Sequence, residues 1–261
     1  MNDKLARIVY PTAVLIAMIA LWQWGADKSL LPSYILPAPS VVAQRTTATF
    51  SVMLNHAAVT TMEILLGFAL AVVLGVFLAW MIAFVRVFEQ AFYPWLVFIQ
   101  VLPKVALGPL LVVWMGVGFL PKILVSFLLA FFPIMIDTLV GLKSVPRDYV
   151  FLLRSMGAGP LKRFWRFQLP FTLPHIFASL KVAITLAAVG AIVGEFIGAD
   201  KGLGYVLIVA TGTMDTTLLF VALVWISLLS LLLYALVGVL ERIFVSWHSV
   251  ARHAEIRDAA S

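Results

Sequence analysis

The chain has 261 residues, of which 63% are hydrophobic and only 11% charged, with a mean hydropathy of +1.09. A soluble domain carries about 25% charged residues, so this composition excludes an ordinary soluble protein and points to a chain embedded in lipid. The net charge of +6 sits in short clusters between apolar runs, as positive residues do when they fix the orientation of membrane spans; nucleic acid is therefore not the partner that this charge serves.

The apolar runs are each about as long as the ~20 residues a helix needs to cross the bilayer core. Only helices and closed barrels satisfy their backbone in lipid, and no period-2 alternation argues for a barrel. The sequence thus predicts one all-α, polytopic membrane domain over 1–261, with six spans at 8–26, 64–85, 90–116, 121–142, 175–198 and 216–240.

The first run follows MNDKLARIVY and lacks a small-residue cleavage site after a short apolar core, so it reads as a retained span. A Pro-rich stretch comes next, containing LPSYILPAPS. Pro39-Ser40 before Val41 predicts a helix start with Ser40 as N-cap. The helix from Val41 to about Asn55 is too polar to span and is expected at the interface. Glu63 opens the second span, and Arg86 and Glu89 mark a tight turn after it. The third span is interrupted by Pro103, Lys104, Gly108 and Pro109, and a broken helix at membrane depth needs surrounding protein or a water-filled cavity. Pro133 and Asp137 interrupt the fourth span; Asp137 reads as a structural hydrogen-bonding group. The tail ERIFVSWHSVARHAEIRDAAS is polar and expected to be short-helical.

Six spans gather Lys4, Arg7, Arg86, Lys143, Arg147, Arg154, Lys162, Arg163, Arg166, Arg242, Arg252 and Arg257 on one side. The other side holds Lys28, Arg45, Lys104, Lys122 and Lys201, with Lys181 near a boundary. This asymmetry places both termini and the loop 144–174 in the cytoplasm.

That loop reads SVPRDYVFLLRSMGAGPLKRFWRFQLPFTLP and is the most informative stretch. Pro146 suits the first turn of a helix running to about Met156, and Gly157 can take the left-handed conformation that ends it. Pro160 starts a second short helix with Leu161, Phe164 and Trp165 on one face. Pro170 is expected to stop it. Two readings stay open on physics alone: a helix lying in the headgroup zone with snorkelling arginines, or a docking element for a cytoplasmic partner.

The pattern Gly157, nine residues, then Phe167-Gln168-Leu169-Pro170 resembles the EAA loop of binding-protein-dependent ABC importer permeases. Further blocks, LPAPS at 36–40, QVLPKVALGPLLVVWMGVG at 100–118, FFPIMIDTLVGLKSVP at 131–146 and GEFIGADKGLGYVL at 194–207, resemble the nitrate, sulfonate and taurine branch of that family. The resemblance implies a type I importer architecture in a bacterial inner membrane. The loop would carry a coupling helix docked on an ATPase subunit through Arg154, Gly157, Leu161, Lys162, Phe164, Trp165, Leu169 and Pro170. It implies a cytoplasmic ATPase dimer that binds ATP and Mg, a second permease copy and an extracytoplasmic substrate-binding protein; this chain itself is expected to hold no cofactor. The family's Glu-Ala-Ala is replaced by Phe151-Leu152-Leu153, which makes the expected docking surface more apolar.

Candidate residues for the translocation path are Gln100, Lys104, Gly190, Gly194, Glu195 and Gly198. The glycines, four apart, line one helix face and permit close backbone approach, either inside one subunit or along a dimer seam or pore. Glu195 at membrane depth needs a partner or water; Lys201 and Lys104 are the candidates. Lys104 could favour an anion, and the Gly202–Tyr205 stretch reads as a re-entrant turn.

No cysteine occurs, so thiolate metal sites and disulfides are excluded. No Walker A pattern appears, the histidines His56, His175, His248 and His253 form no ligand pair, and no nucleophile elbow is present. An enzyme or scaffold is disfavoured accordingly. A self-sufficient secondary transporter predicts internal repeats and paired intramembrane charges, of which the sequence offers little. The expected function is the permease subunit of an ATP-driven importer of a small anionic nutrient, with a thiamine-precursor pyrimidine or other small heterocycle as the alternative cargo.

Overall fold

The computed structural model describes residues 3–30 and 32–245. Every regular element among them is helical. They are α1 (Asp3–Asp27), α2 (Pro39–Ala48), α3 (Phe50–Phe84), α4 (Arg86–Val101), a 3-10 turn (Lys104–Leu107), α5 (Gly108–Met115), α6 (Phe119–Lys143), α7 (Arg147–Ser155), α8 (Pro160–Arg163), a π turn (Phe164–Gln168), α9 (Leu169–Gly198), α10 (Leu203–Gly212) and α11 (Thr216–Phe244). Five helices are long and apolar enough to cross a membrane, and a sixth span results if α4 and the 3-10/α5 segment, bent by 88°, count as one. The expected tail helix beyond Val245 lies outside the described residues.

The chain forms two compact units. One holds the described residues up to Val59 together with Asp200–Leu228. Within it the Pro-rich segment is strapped to α1: the Trp22 indole donates to the Pro37 carbonyl at 3.1 Å. The expected cap by Ser40 does not form. The N-cap of α2 is Ala38, with Pro39 at the first position, and the Ser40 N–H donates instead to the Gln23 side chain at 3.1 Å. A proline there presents no N–H, and Gln23 satisfies the next donor from another helix, so no local side-chain cap is needed. The expected interfacial helix from Val41 to Asn55 is likewise divided at Thr49. Its second half belongs to α3, because Met53 and Ala57 are buried rather than resting on a surface. Val42, Met53, Val206, Val221 and Ala222 form this unit's core.

The other unit holds Thr60–Ala199 and the described residues from Leu229 onward. Its most extensive packing is between α6 and α9. Ile64 and Ala71 of α3, Ala130 and Ile134 of α6, Ala183 to Ala191 of α9, and Leu233 and Val237 of α11 build the core. Lys181 and Glu241 form an ion pair between α9 and α11.

The backbone of the loop 144–174 departs from expectation at Pro170. Gly157 does adopt a positive φ of 74°, ending the turn after α7. Pro170, however, does not stop the following helix, which runs from Pro160 through the π turn into α9. An α-helical proline loses a hydrogen bond and clashes with the carbonyl four residues back. Here the Leu169 N–H donates to the Phe164 carbonyl, five residues back. This wider turn falls where Pro170 would otherwise break the ladder.

Candidate functional site: a buried polar cluster and an exposed elbow

Thr60 and Glu63 are three apart on α3 and therefore share a helix face. Both are fully buried. Lys122, near the start of α6, donates to the Glu63 carboxylate at 2.8 Å, with side-chain exposures of 6% and 0%. Thr60 donates to the Glu195 carboxylate of α9 at 2.6 Å, and Glu195 is 1% exposed. Two parallel helices, α3 and α6, and the antiparallel α9 thus bring two carboxylates, one ammonium and one hydroxyl to the same end of the unit. Burying such groups is tolerated only with hydrogen-bonded partners.

Glycine makes this approach possible. A Cβ on Gly194 would lie 2.8 Å from the Lys122 Cα, and one on Gly190 2.6 Å from the Ser126 Cα. Ser126 is pressed from the other side by Gly67 of α3, whose Cβ would fall 2.5 Å from the serine hydroxyl. That hydroxyl donates to the Ala187 carbonyl at 3.0 Å. Small residues let three backbones meet at one level, as in membrane helix packing generally. Gly190, Gly194 and Gly198 therefore face Ser126, Lys122 and Val117 of the same chain.

The expected pairing of Lys104 with Glu195 does not form. The Lys104 ammonium donates to the Gln100 carbonyl at 2.9 Å and lies 4.6 Å from the centre of the Phe132 ring. A lysine at this depth is better served by a carbonyl one turn back and a ring face than by open space. Gln100 is exposed, and Lys201 is exposed in the other unit. Sequence alone does not single out Thr60, Glu63, Lys122 and Ser126, because Glu63 reads as the opening of a span and Lys122 as a flanking charge. The signal was the common depth of Glu63, Lys122 and Glu195, each close to the same end of its apolar run.

At the opposite end of these helices lies the elbow. Gly157 is exposed, and a Cβ there would meet nothing within 4 Å. Lys162 and Arg166 are exposed, Trp165 is 60% exposed, and Leu169 and Pro170 are half-buried. Phe164 turns the other way, against Trp80 at 6.4 Å and Phe84 at 5.9 Å, both edge to face. The expected common face of Phe164 and Trp165 is thereby split. Arg154 and Leu161 lie on α7 and α8; their side chains are outside the described part. Beside the elbow, a cavity of about 690 Å³ opens between α4 and α6, lined by Glu89, Gln90, Pro94, Leu139, Val140, Lys143 and Ser144. Lys143 and Glu89 pair across it at 2.5 Å.

Residues 71–245 match the family of binding-protein-dependent transport system inner membrane components. The chain belongs to this family. The permease is 37% identical to the riboflavin transport system permease protein RibX of Chloroflexus aurantiacus, over 94% of each chain. It is 37% identical to the formylaminopyrimidine transport permease protein ThiX of Halalkalibacterium halodurans, over 91% of this chain and 95% of that one. It is 29% identical to the putative aliphatic sulfonates transport permease protein SsuC of Escherichia coli, over 92% of each. These relatives make the chain a multi-pass inner-membrane ABC transporter permease, and the matched region 71–245 contains Lys122, Glu195 and the elbow, while Thr60 and Glu63 lie before it. ATPase and substrate-binding subunits are the general partners of this family.

Proposed function

We propose that the permease works as one of two identical membrane subunits of an importer, with both termini and the segment 144–174 in the cytoplasm. The elbow seats on the ATPase through Gly157, Lys162 and Trp165, with Arg154, Leu161, Phe164, Leu169 and Pro170 shaping the same element. ATP and Mg act on the partner ATPase, and this chain carries no catalytic step. The supporting observation is the free space in front of Gly157, at φ 74°, between two short helices bearing exposed lysine, arginine and tryptophan. A partner backbone can approach only where no side chain intrudes. Nucleotide-driven closure of the ATPase pair would move the two elbows, and rigid-body motion of the bundles would open the path to the binding protein.

Gly190 and Gly194 serve that path from behind by letting α9 close on α6, Gly198 by letting it close on Val117, and Glu195 by tying α9 to α3 through Thr60; Gln100 and Lys104 line its broken segment. For cargo we favour a planar nitrogen heterocycle over a small anion. Two relatives at 37% identity are named for riboflavin and for formylaminopyrimidine, against 29% for the sulfonate permease. The Lys104 ammonium, the expected attraction for an anion, is already engaged by Gln100 and Phe132.

The test is reconstitution in proteoliposomes with the cognate ATPase and binding protein. Saturable, ATP-dependent uptake of labelled riboflavin or formylaminopyrimidine is expected. Uptake of an alkanesulfonate in their place would reverse the cargo assignment, and uptake without ATP would favour a secondary transporter.

A further inference from the structure

We infer that Phe164 is a positioning residue through which the elbow drives a second helix, α3, so that α3 and α9 are tied at both ends into one closed frame. The inference rests on the reading of 144–174 as the coupling element. At the elbow end, Phe164 sits edge to face on Trp80 and Phe84, at interplanar angles of 74° and 86°. Trp80 and Phe84 are themselves 6.0 Å apart, so they form a two-ring socket on the last turns of α3. At the far end the same two helices are joined again, by the Thr60 hydroxyl and the Glu195 carboxylate at 2.6 Å.

Two helices pinned at one end shear when pushed; pinned at both, they move together. The helical path from Pro160 to Gly198 is uninterrupted, so a push on the elbow reaches Glu195 directly along α9. The socket delivers the same push to α3, and α3 carries Thr60 and Glu63. The Thr60–Glu195 contact between them is then not sheared during the stroke. The π turn is part of this device. It accommodates one more residue per turn than an α-helix, and each residue rotates the helix by about 100°. That extra residue sets the rotational phase at which Phe164 meets the socket while Trp165, at 5.5 Å and 81° from it, stays outside at 60% exposure. Aromatic pairs of this geometry hold direction as well as contact.

The experiment compares ATP hydrolysed per cargo imported, in proteoliposomes of the full complex, for wild type and for Phe164→Ala, Phe164→Tyr and Trp80→Leu. A purely structural anchor would change yield or thermal stability and leave that ratio alone. The expected result is a ratio raised about fivefold or more in Phe164→Ala and Trp80→Leu, with recovery in Phe164→Tyr, which keeps the edge-to-face ring. Should Phe164→Ala fail to assemble, Phe164→Leu takes its place, since it preserves apolar bulk and removes the ring. A ratio within about twofold of wild type in whichever of these assembles, read against the same scale, overturns the inference. Gly157→Leu serves as the separate control. If it uncouples the complex and the Phe164 variants do not, the coupling reading stands and only the frame fails; if neither does, the coupling reading itself fails.

Discussion

Replacing Lys122 with methionine tests the buried cluster most sharply. The substitution leaves the Glu63 carboxylate, 0% exposed, without the ammonium it faces at 2.8 Å. At an effective dielectric of about 20, charges at that separation attract by about 6 kcal/mol before desolvation is counted. Desolvation offsets most of this, which is why breaking a buried pair costs about 3–5 kcal/mol while replacing both partners with apolar groups is nearly neutral or stabilising. Lys122→Met alone should therefore lose about 3–5 kcal/mol, and Glu63→Met/Lys122→Met should recover nearly all of it. The assay is reversible unfolding in mixed micelles with increasing denaturing detergent, run as a double-mutant cycle. Additive losses in the double variant would refute the claim that the two side chains act as one pair.

Two further outcomes follow from the same geometry. Gly190→Leu should abolish or strongly reduce properly inserted protein, because its Cβ would meet the backbone of Ser126 at 2.6 Å and backbone cannot yield; Gly212→Ala, with nothing within 4 Å, should be nearly silent in the same expression and melting assays. The chain has no cysteine, so single cysteines report topology cleanly. Trp165→Cys should react with an impermeant maleimide only from the cytoplasmic face, and Tyr34→Cys, at a site 71% exposed, only from the opposite face.

Much of this fold is legible in the sequence because lipid permits so few solutions. Runs of about 20 apolar residues between charge clusters can only be helices, and the structure places long apolar helices there. Gly157 is legible for a similar reason: a glycine between a helix end and a proline has one common use, and φ is positive there as expected. The buried pair is not legible. Glu63 and Lys122 are 59 residues apart, and each alone is indistinguishable from a charge marking the end of a span. Pro170 misleads in the opposite sense. Its effect on an α-helix is well defined, but the turn before it is not α, and no residue type announces a π turn. The Ser40 cap fails because the helix opens at Pro39 with Ala38 as N-cap, which puts Ser40 inside the first turn, where Gln23 of another helix accepts from its N–H. Local rules hold until a tertiary partner does the same work.

The central claim is that the segment 144–174 carries nucleotide-driven motion into the membrane bundle. Gly157→Leu places a side chain at the φ of 74° and fills the open space before the elbow. The most direct measurement is ATP hydrolysis and cargo uptake by this variant complex, side by side, in the same proteoliposomes. Continued hydrolysis with uptake lost is the expected result; uptake at the wild-type rate would contradict it.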